Sequence, residues 1–244
     1  MPDDQQVLSL PLGTTVGAAL AEMRRTDFDQ IPIFRDSIVV GVFSYRSLSH
    51  SLQYIRTQDD PTVLPVDEFL EDLKFVRAET DVDDVAEEFA RRGAILVGTH
   101  DNLRAVVTAS DLSDFLWKLS RPFVIIRDIE LAARYLMHRA CPDPQALAIC
   151  IAAGIERNEG QSIPGRLDDL TYSELLGVLM NREHFGKTFS LTFGRQRDLV
   201  LSKLEPVRDI RNRFFHFRDE LSSEDELVVM ETREWLRRKV DMYG

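Results

Sequence analysis

The segment from Arg208 to Phe217, which reads RDIRNRFFHF, holds the densest group of side chains in this sequence that could carry out chemistry. On a helix, Asn212 and His216 follow Arg208 at i+4 and i+8, so a guanidinium, an amide and an imidazole lie along one stripe, flanked by Arg211. An imidazole, with an ordinary pKa of about 6.5, can donate or accept a proton. A guanidinium stabilises charge that develops on a phosphate. These side chains therefore suit proton transfer at a phosphate group.

The rest of the second half predicts the helices that would position this stripe. Amphipathic patterns and caps indicate helices over residues 128–140, 144–157, 172–183, 196–218 and 222–240. Pro206 either begins a new helix or kinks the fourth one. A separate apolar stripe on the fourth helix is expected to face the core of an all-α bundle, and it comprises Ile210, Phe214 and Phe217.

The motif in its helical context resembles the Arg-Asn-x-x-x-His signature of HEPN domains, over about residues 128–242. The segment from Leu170 to Leu176, LTYSELL, is similar to the Leu-Thr-x-x-x-Leu helix start of that family. The resemblance implies a metal-independent endoribonuclease that works as a homodimer, because two facing motifs supply both the base and the acid that RNA cleavage needs. It implies that Arg211, Asn212 and His216 are catalytic. It further implies RNA-backbone contacts from Arg208 and Arg213.

The charges leave a non-catalytic alternative open. The formal net charge is −11, which disfavours a protein that coats nucleic acid with its whole surface, whereas residues 187–218 carry eight basic and three acidic residues. The same polar stripe could instead form a paired network at a dimer interface. In one toxin subgroup of the family the His is followed by x-Tyr, and Arg218 occupies that position here.

An internal repeat organises the first half. Residues 14–48 and residues 80–112 each read as a helix, two short apolar strands joined by a turn, and the start of another helix. The strands are predicted over residues 31–34 and 38–43, and over residues 94–97 and 103–107. In the second copy, Thr80 and Asp83 resemble a helix capping box.

This repeat resembles a tandem pair of CBS domains over roughly residues 7–127. In CBS pairs that bind adenosine nucleotides, a strand ends in Gly-x-x-Thr/Ser-x-x-Asp. Thr108 and Asp111 occupy the hydroxyl and carboxylate positions in the second copy, and the first copy has Ser44 with Ser47 in place of the Asp. The resemblance implies a ribose and phosphate site at Thr108 and Asp111, with Ser44 as a further nucleotide-binding hydroxyl. The same Thr and Asp also fit an ordinary helix cap, and many CBS pairs serve only as dimerisation scaffolds.

The remaining composition narrows the class of protein. No apolar run approaches the roughly 20 residues of a membrane span, and the acidic N-terminus is unlike a signal peptide, so we expect a cytoplasmic protein with no membrane partner. The two cysteines lack metal spacing, and four histidines (His50, His100, His138 and His184) suggest surface or capping roles, so no metal site is expected.

The sequence thus predicts an α+β chain: a CBS pair over residues 1–127 and a HEPN-like all-α bundle over residues 128–244. The first hypothesis is an endoribonuclease that requires no cofactor and is regulated by AMP, ADP or ATP. The alternative is a non-catalytic adenine-nucleotide sensor whose helical part dimerises or binds a partner.

Overall fold

The computed structural model describes residues 7–55, 60–156, 162–216 and 221–243, and its two compact units are Met1–Leu116 and Trp117–Gly244. The first unit mixes strands and helices and the second is helical, as the sequence patterns predicted. The division falls at 116/117, eleven residues before the boundary drawn from the sequence, and it lies within one helix.

The first repeat forms a four-stranded sheet with helices around it. Its elements are β1 (Leu10–Pro11), α1 (Val16–Thr26), β2 (Gln30–Arg35), β3 (Ile38–Ser44), α2 (Tyr45–Leu52) and β4 (Leu70–Glu71). The sheet order is β1-β2-β3-β4, with β1 parallel to β2 and the other pairs antiparallel. Thr15 caps α1, since its hydroxyl accepts a hydrogen bond from the backbone N–H of Ala18. The core comprises Val16, Ala19, Met23, Ile31, Ile33, Phe43, Val66 and Phe69.

The second repeat forms a smaller sheet of order β5-β6-β7. Its elements are β5 (Phe75–Val76), α3 (Ala86–Arg92), β6 (Ala94–Thr99) and β7 (Asn102–Thr108). The predicted strands are confirmed in both repeats, but the predicted capping box at Thr80 is wrong. A 3₁₀ turn over Val82–Asp84 precedes α3, and its N-cap residue, Asp81, makes no side-chain cap bond.

The two repeats pack directly against each other within the first unit. The N–H of Val39 donates to the carbonyl of His100 at 2.8 Å, which joins the start of β3 to the β6–β7 turn. A shared apolar cluster fills the space between the sheets and comprises Val39, Val42, Leu73, Ala94 and Leu96.

The second unit is built on long helices. Its elements are α4 (Ala109–Ala140), which begins in the first unit, α5 (Pro144–Gly154), α6 (Tyr172–Met180), α7 (Arg182–His184), a π-helix (Phe185–Phe189), α8 (Ser190–Phe193), α9 (Arg197–Phe215) and α10 (Ser223–Tyr243). One apolar core joins these helices, with Ile129, Leu136, Leu175, Leu204 and Leu236 fully buried. Among the described residues, no helix is both long and apolar enough to cross a membrane.

Two helix ends differ from the sequence pattern: the helix predicted from residue 128 is the last part of α4, which begins at Ala109, and the helix predicted to end at residue 183 is shorter. The helix predicted over residues 172–183 ends at Met180, because Asn181 leaves the helical conformation and its side chain caps the next turn by accepting from the N–H groups of Glu183 and His184. Pro206 lies inside the continuous helix α9 and does not begin a new one.

Candidate functional site

The Thr108–Asp111 junction lies where β7 ends and α4 begins. The backbone N–H and the hydroxyl of Thr108 both donate to Oδ2 of Asp111, at 2.8 and 2.6 Å, and the N–H of Asp111 donates back to the Thr108 hydroxyl at 3.1 Å. The two side chains therefore form a reciprocal helix cap. Asp111 is exposed, and within the described part of the chain its Oδ1 atom has no hydrogen-bond partner.

The equivalent junction of the first repeat is closed. Ser44 ends β3 and forms a capping box with Ser47 at the start of α2. The Ser44 side chain is buried, and its hydroxyl donates to Oε1 of Glu71 in a short hydrogen bond. The carboxylate of Glu71 also lies 3.9 Å from the guanidinium of Arg92, at the end of α3 in the second repeat. The predicted nucleotide-binding hydroxyl of Ser44 is thus bonded to a carboxylate of the same chain.

A cavity of about 460 Å³ lies between the two repeats. The ring of His100 lies 4.1 Å from the ring of Phe75, and its Nδ1 atom lies 3.2 Å from the carbonyl of Val39. His100 is exposed, as its sequence context suggested, and its ring contacts both repeats. The cavity is lined by Val40, Gly41, Asp72, Leu73, Phe75, Leu96 and His100.

The polar motif of the second unit lies on the last two turns of α9. Arg211 donates from Nε to Oε1 of Glu130 on α4 at 2.9 Å, and its guanidinium lies 5.1 Å from the centre of the Phe215 ring. Asn212 follows directly, and its Oδ1 is 3.5 Å from Nη1 of Arg211. His216 is exposed just after the helix, and its N–H donates to the carbonyl of Asn212 at 3.3 Å.

The other arginines of the motif are paired with carboxylates. Arg208 contacts Glu205 at 3.2 Å and Asp209 at 3.0 Å. Arg213 donates to Asp225 at the start of α10 at 2.7 Å. The positive charge of these arginines is therefore largely neutralised by carboxylates of the same chain, which weakens their attraction for a phosphate backbone. Phe217, predicted to face the core, and Arg218, which follows the motif, lie outside the described residues.

Glu130 anchors the motif from a neighbouring helix. Its carboxylate accepts from both Arg211 and Arg134, and Arg134 also donates to the carbonyls of Leu167 and Leu170. Burial, together with the Glu130 carboxylate, raises the pKa of the neighbouring Tyr172 far above its usual range, so its hydroxyl stays protonated and donates to the carbonyl of Leu204. In the described ranges, no group of three or more His, Cys, Asp or Glu side chains is arranged to hold a metal ion.

The comparison with known families bears on the first unit. Residues 4–54 and residues 64–118 each match the profile of the CBS domain. The N-terminal half is a tandem CBS pair.

Solved structures similar to the CBS pair come from several bacteria. A CBS-domain containing protein from Agrobacterium tumefaciens is 14% identical with a TM-score of 0.40, and the match covers 46% of this chain and 90% of that one. A signal-transduction protein with CBS domains from Burkholderia ambifaria is 15% identical with a TM-score of 0.42, over 48% and 87% of the two chains. An acetoin utilization protein from Vibrio cholerae is 20% identical with a TM-score of 0.41, over 48% and 87%. No curated protein sequence matches the chain.

The sequence did not predict the contacts of two glutamates, one in the CBS pair and one in the helical unit. Glu71 and Glu130 lie in ordinary acidic contexts, and only the tertiary fold brings them to Ser44 and Arg211. In the sequence, Glu71 is 27 residues from Ser44 and Glu130 is 81 residues from Arg211. These separations exceed the range of any local pattern.

Proposed function

We propose that the CBS pair binds an adenosine nucleotide, such as AMP, ADP or ATP, and acts as a regulatory sensor in the cytoplasm. The observation that carries this proposal is the state of Asp111. Its exposed carboxylate is held in one orientation by two hydrogen bonds from Thr108, and one oxygen remains unbonded to the described residues. A ribose presents two hydroxyl donors, and a fixed carboxylate is the acceptor that such a diol matches.

The position of Asp111 also favours a phosphate nearby. It lies in the first turn of α4, which spans 32 residues. The N-terminus of a helix carries partial positive charge and backbone N–H groups that suit an anion. In this proposal the Asp111 carboxylate accepts the ribose hydroxyls and stays held by the backbone N–H of Thr108. The Thr108 hydroxyl turns its hydrogen from Asp111 to the phosphate, which the helix end also receives.

Calorimetric titration with AMP, ADP and ATP tests the proposal. Asp111→Asn keeps the size of the side chain and removes its charge, so we expect affinity to fall about 10- to 100-fold. Asp114→Asn is the matched control, because Asp114 is exposed on the same helix one turn further on. Equal affinities of wild type and Asp111→Asn, or no binding to the wild type, would reject the proposed site.

A second candidate function is endoribonuclease activity of the helical unit. The observation in its favour is that Arg211 is fixed by Glu130 and stacked on Phe215, with the exposed imidazole of His216 one turn away. One chain supplies one such imidazole, whereas cleavage by an RNA 2′-hydroxyl needs both a base and an acid. This candidate therefore requires a homodimer, with Arg208 and Arg213 exchanging their carboxylate partners for RNA phosphates. The nucleotide would then regulate this activity.

Cleavage of a mixed-sequence labelled RNA in EDTA distinguishes the two candidates. If the helical unit is a ribonuclease, His216→Ala lowers the rate of RNA cleavage at least about 100-fold, and the wild-type products end in 2′,3′-cyclic phosphate. His138→Ala is the control, because His138 is exposed in the same unit and distant from the motif in sequence. Absence of His216-dependent cleavage would leave the sensor, with the helical unit as a dimerisation or partner-binding part.

A further inference from the structure

The two CBS domains differ in what their strand-to-helix junctions contact. In the second domain the Thr108 hydroxyl is half-exposed and bonded to Asp111 of its own helix. In the first domain Ser44 is only 4% exposed, and its hydroxyl is bonded to Glu71, which is remote in sequence. A carboxylate therefore already occupies the acceptor position in front of the first hydroxyl.

The Glu71 carboxylate is held from several sides. β4 pairs with β3, with Val42 opposite Glu71, so the sheet fixes the backbone that carries the carboxylate. Its side chain is only 11% exposed, and Arg92 of the second domain lies beside its other oxygen. The Ser44 hydroxyl and the Arg92 guanidinium thus face the two oxygens of the Glu71 carboxylate, and this pair of donors would equally suit a phosphate.

We propose that Glu71 is a built-in anion that closes the first CBS domain to phosphate-bearing ligands, so that the pair takes one nucleotide rather than two. This inference rests on the proposed function and specifies its stoichiometry. The Glu71 carboxylate fills the space in front of Ser44, and it repels a phosphate that carries about −1.5 to −2 charges at neutral pH. Thr108 has no remote carboxylate of this kind among the described residues.

A purely architectural role for Glu71 makes a different prediction. If Glu71 only ties the two domains together, its removal lowers stability and creates no ligand site. If Glu71 occupies an anion position, its removal exposes the Ser44 hydroxyl and Arg92 together, and a nucleotide phosphate gains both.

The test measures the number of AMP equivalents bound per full-length chain by equilibrium dialysis. We expect one for the wild type, two for Glu71→Ala and one for Glu71→Ala with Asp111→Asn. Adding Ser44→Ala to that double variant should weaken the remaining site about tenfold. Glu68→Ala is the matched control, because Glu68 is an exposed glutamate three residues earlier, and it should leave one equivalent.

The outcomes separate this inference from the proposed nucleotide site. A wild type that binds no AMP rejects the site at Asp111, whereas the Glu71→Ala, Asp111→Asn variant still tests Glu71. If that folded double variant binds none, or if the wild type already binds two, the role of Glu71 is overturned. Should Glu71→Ala not fold, Glu71→Ser removes both the charge and the bulk while it keeps a polar group beside Ser44. Binding by Glu71→Ser, Asp111→Asn is then expected, and its absence overturns the inference.

Discussion

Glu130 is the side chain on which the helical motif depends most. It is 15% exposed and accepts hydrogen bonds from Arg211 and Arg134. Its removal would leave two half-buried guanidinium groups without their carboxylate partner. We expect Glu130→Ala to lower the free energy of unfolding by about 2–3 kcal/mol.

Urea denaturation measures this loss. Glu234→Ala is the control, because the ion pairs of Glu234 with Arg237 and Arg238 on α10 are exposed to solvent. Such pairs are worth at most about 1 kcal/mol. If Glu130→Ala costs no more than Glu234→Ala, Glu130 does not anchor the motif.

Asp225 carries a pH dependence. Burial alone would raise the pKa of Asp225, but hydrogen bonds from Ser222 and the pairing with Arg213 outweigh it and hold the pKa below the ordinary value of 3.8. A carboxyl with a depressed pKa in the folded state stabilises the fold above its unfolded pKa, and this contribution disappears as the pH falls through the folded pKa. We expect Asp225→Asn to cost about 1–2 kcal/mol at pH 7.

Urea unfolding at several pH values separates this effect from a general loss of packing. The difference between wild type and Asp225→Asn should stay constant from pH 7 to about pH 5 and shrink below about pH 4. A difference that persists unchanged at pH 3 would show that charge on Asp225 is not its source.

The contact between α5 and α6 depends on two glycines. A Cβ on Gly154 would lie 2.3 Å from Cα of Val178, and a Cβ on Gly177 would lie 2.5 Å from the carbonyl oxygen of Gly154. Both neighbours are backbone atoms, which cannot move without separating the helices. We expect Gly177→Ala to lower the free energy of unfolding by about 3 kcal/mol.

Tryptophan fluorescence can follow this unfolding, because both tryptophans, Trp117 and Trp235, lie in the helical unit. Gly165→Ala is the control, since an added Cβ there meets nothing within 4 Å. If the two alanine variants unfold alike, the close approach of α5 and α6 is not a constraint.

The strands of this protein could be predicted from local sequence patterns more readily than the lengths of its helices. Short apolar runs joined by turn residues predicted the strands of both repeats, since a strand that is buried on both faces reads as a continuous apolar run. Helix continuity was harder to predict. Pro122 and Pro206 lie inside α4 and α9, although each proline removes one backbone donor from its helix. Buried neighbours such as Ile125 and Val207 keep these helices packed.

At the scale of the whole molecule, the repeat spacing predicted the paired domains, and the change of pattern predicted a helical second unit. The candidate residues Thr108, Asp111, Arg211 and His216 were chosen from their types and spacing, and their roles stay predictions. The carboxylates that engage or neutralise the sites could not be chosen in this way, because Glu71, Glu130 and Asp225 act through tertiary contacts. The net charge of −11 indicates that carboxylates are abundant, but it does not predict which side chains they contact.

Amide hydrogen exchange with and without AMP tests the central claim, nucleotide binding at Thr108 and Asp111, most directly. The N–H groups of both residues donate to each other's side chains in an exposed helix cap, so they should exchange readily in the free protein. We expect AMP to slow exchange at Thr108 and Asp111 in the wild type but not in Asp111→Asn. Unchanged exchange there in the wild type at saturating AMP would contradict the claim.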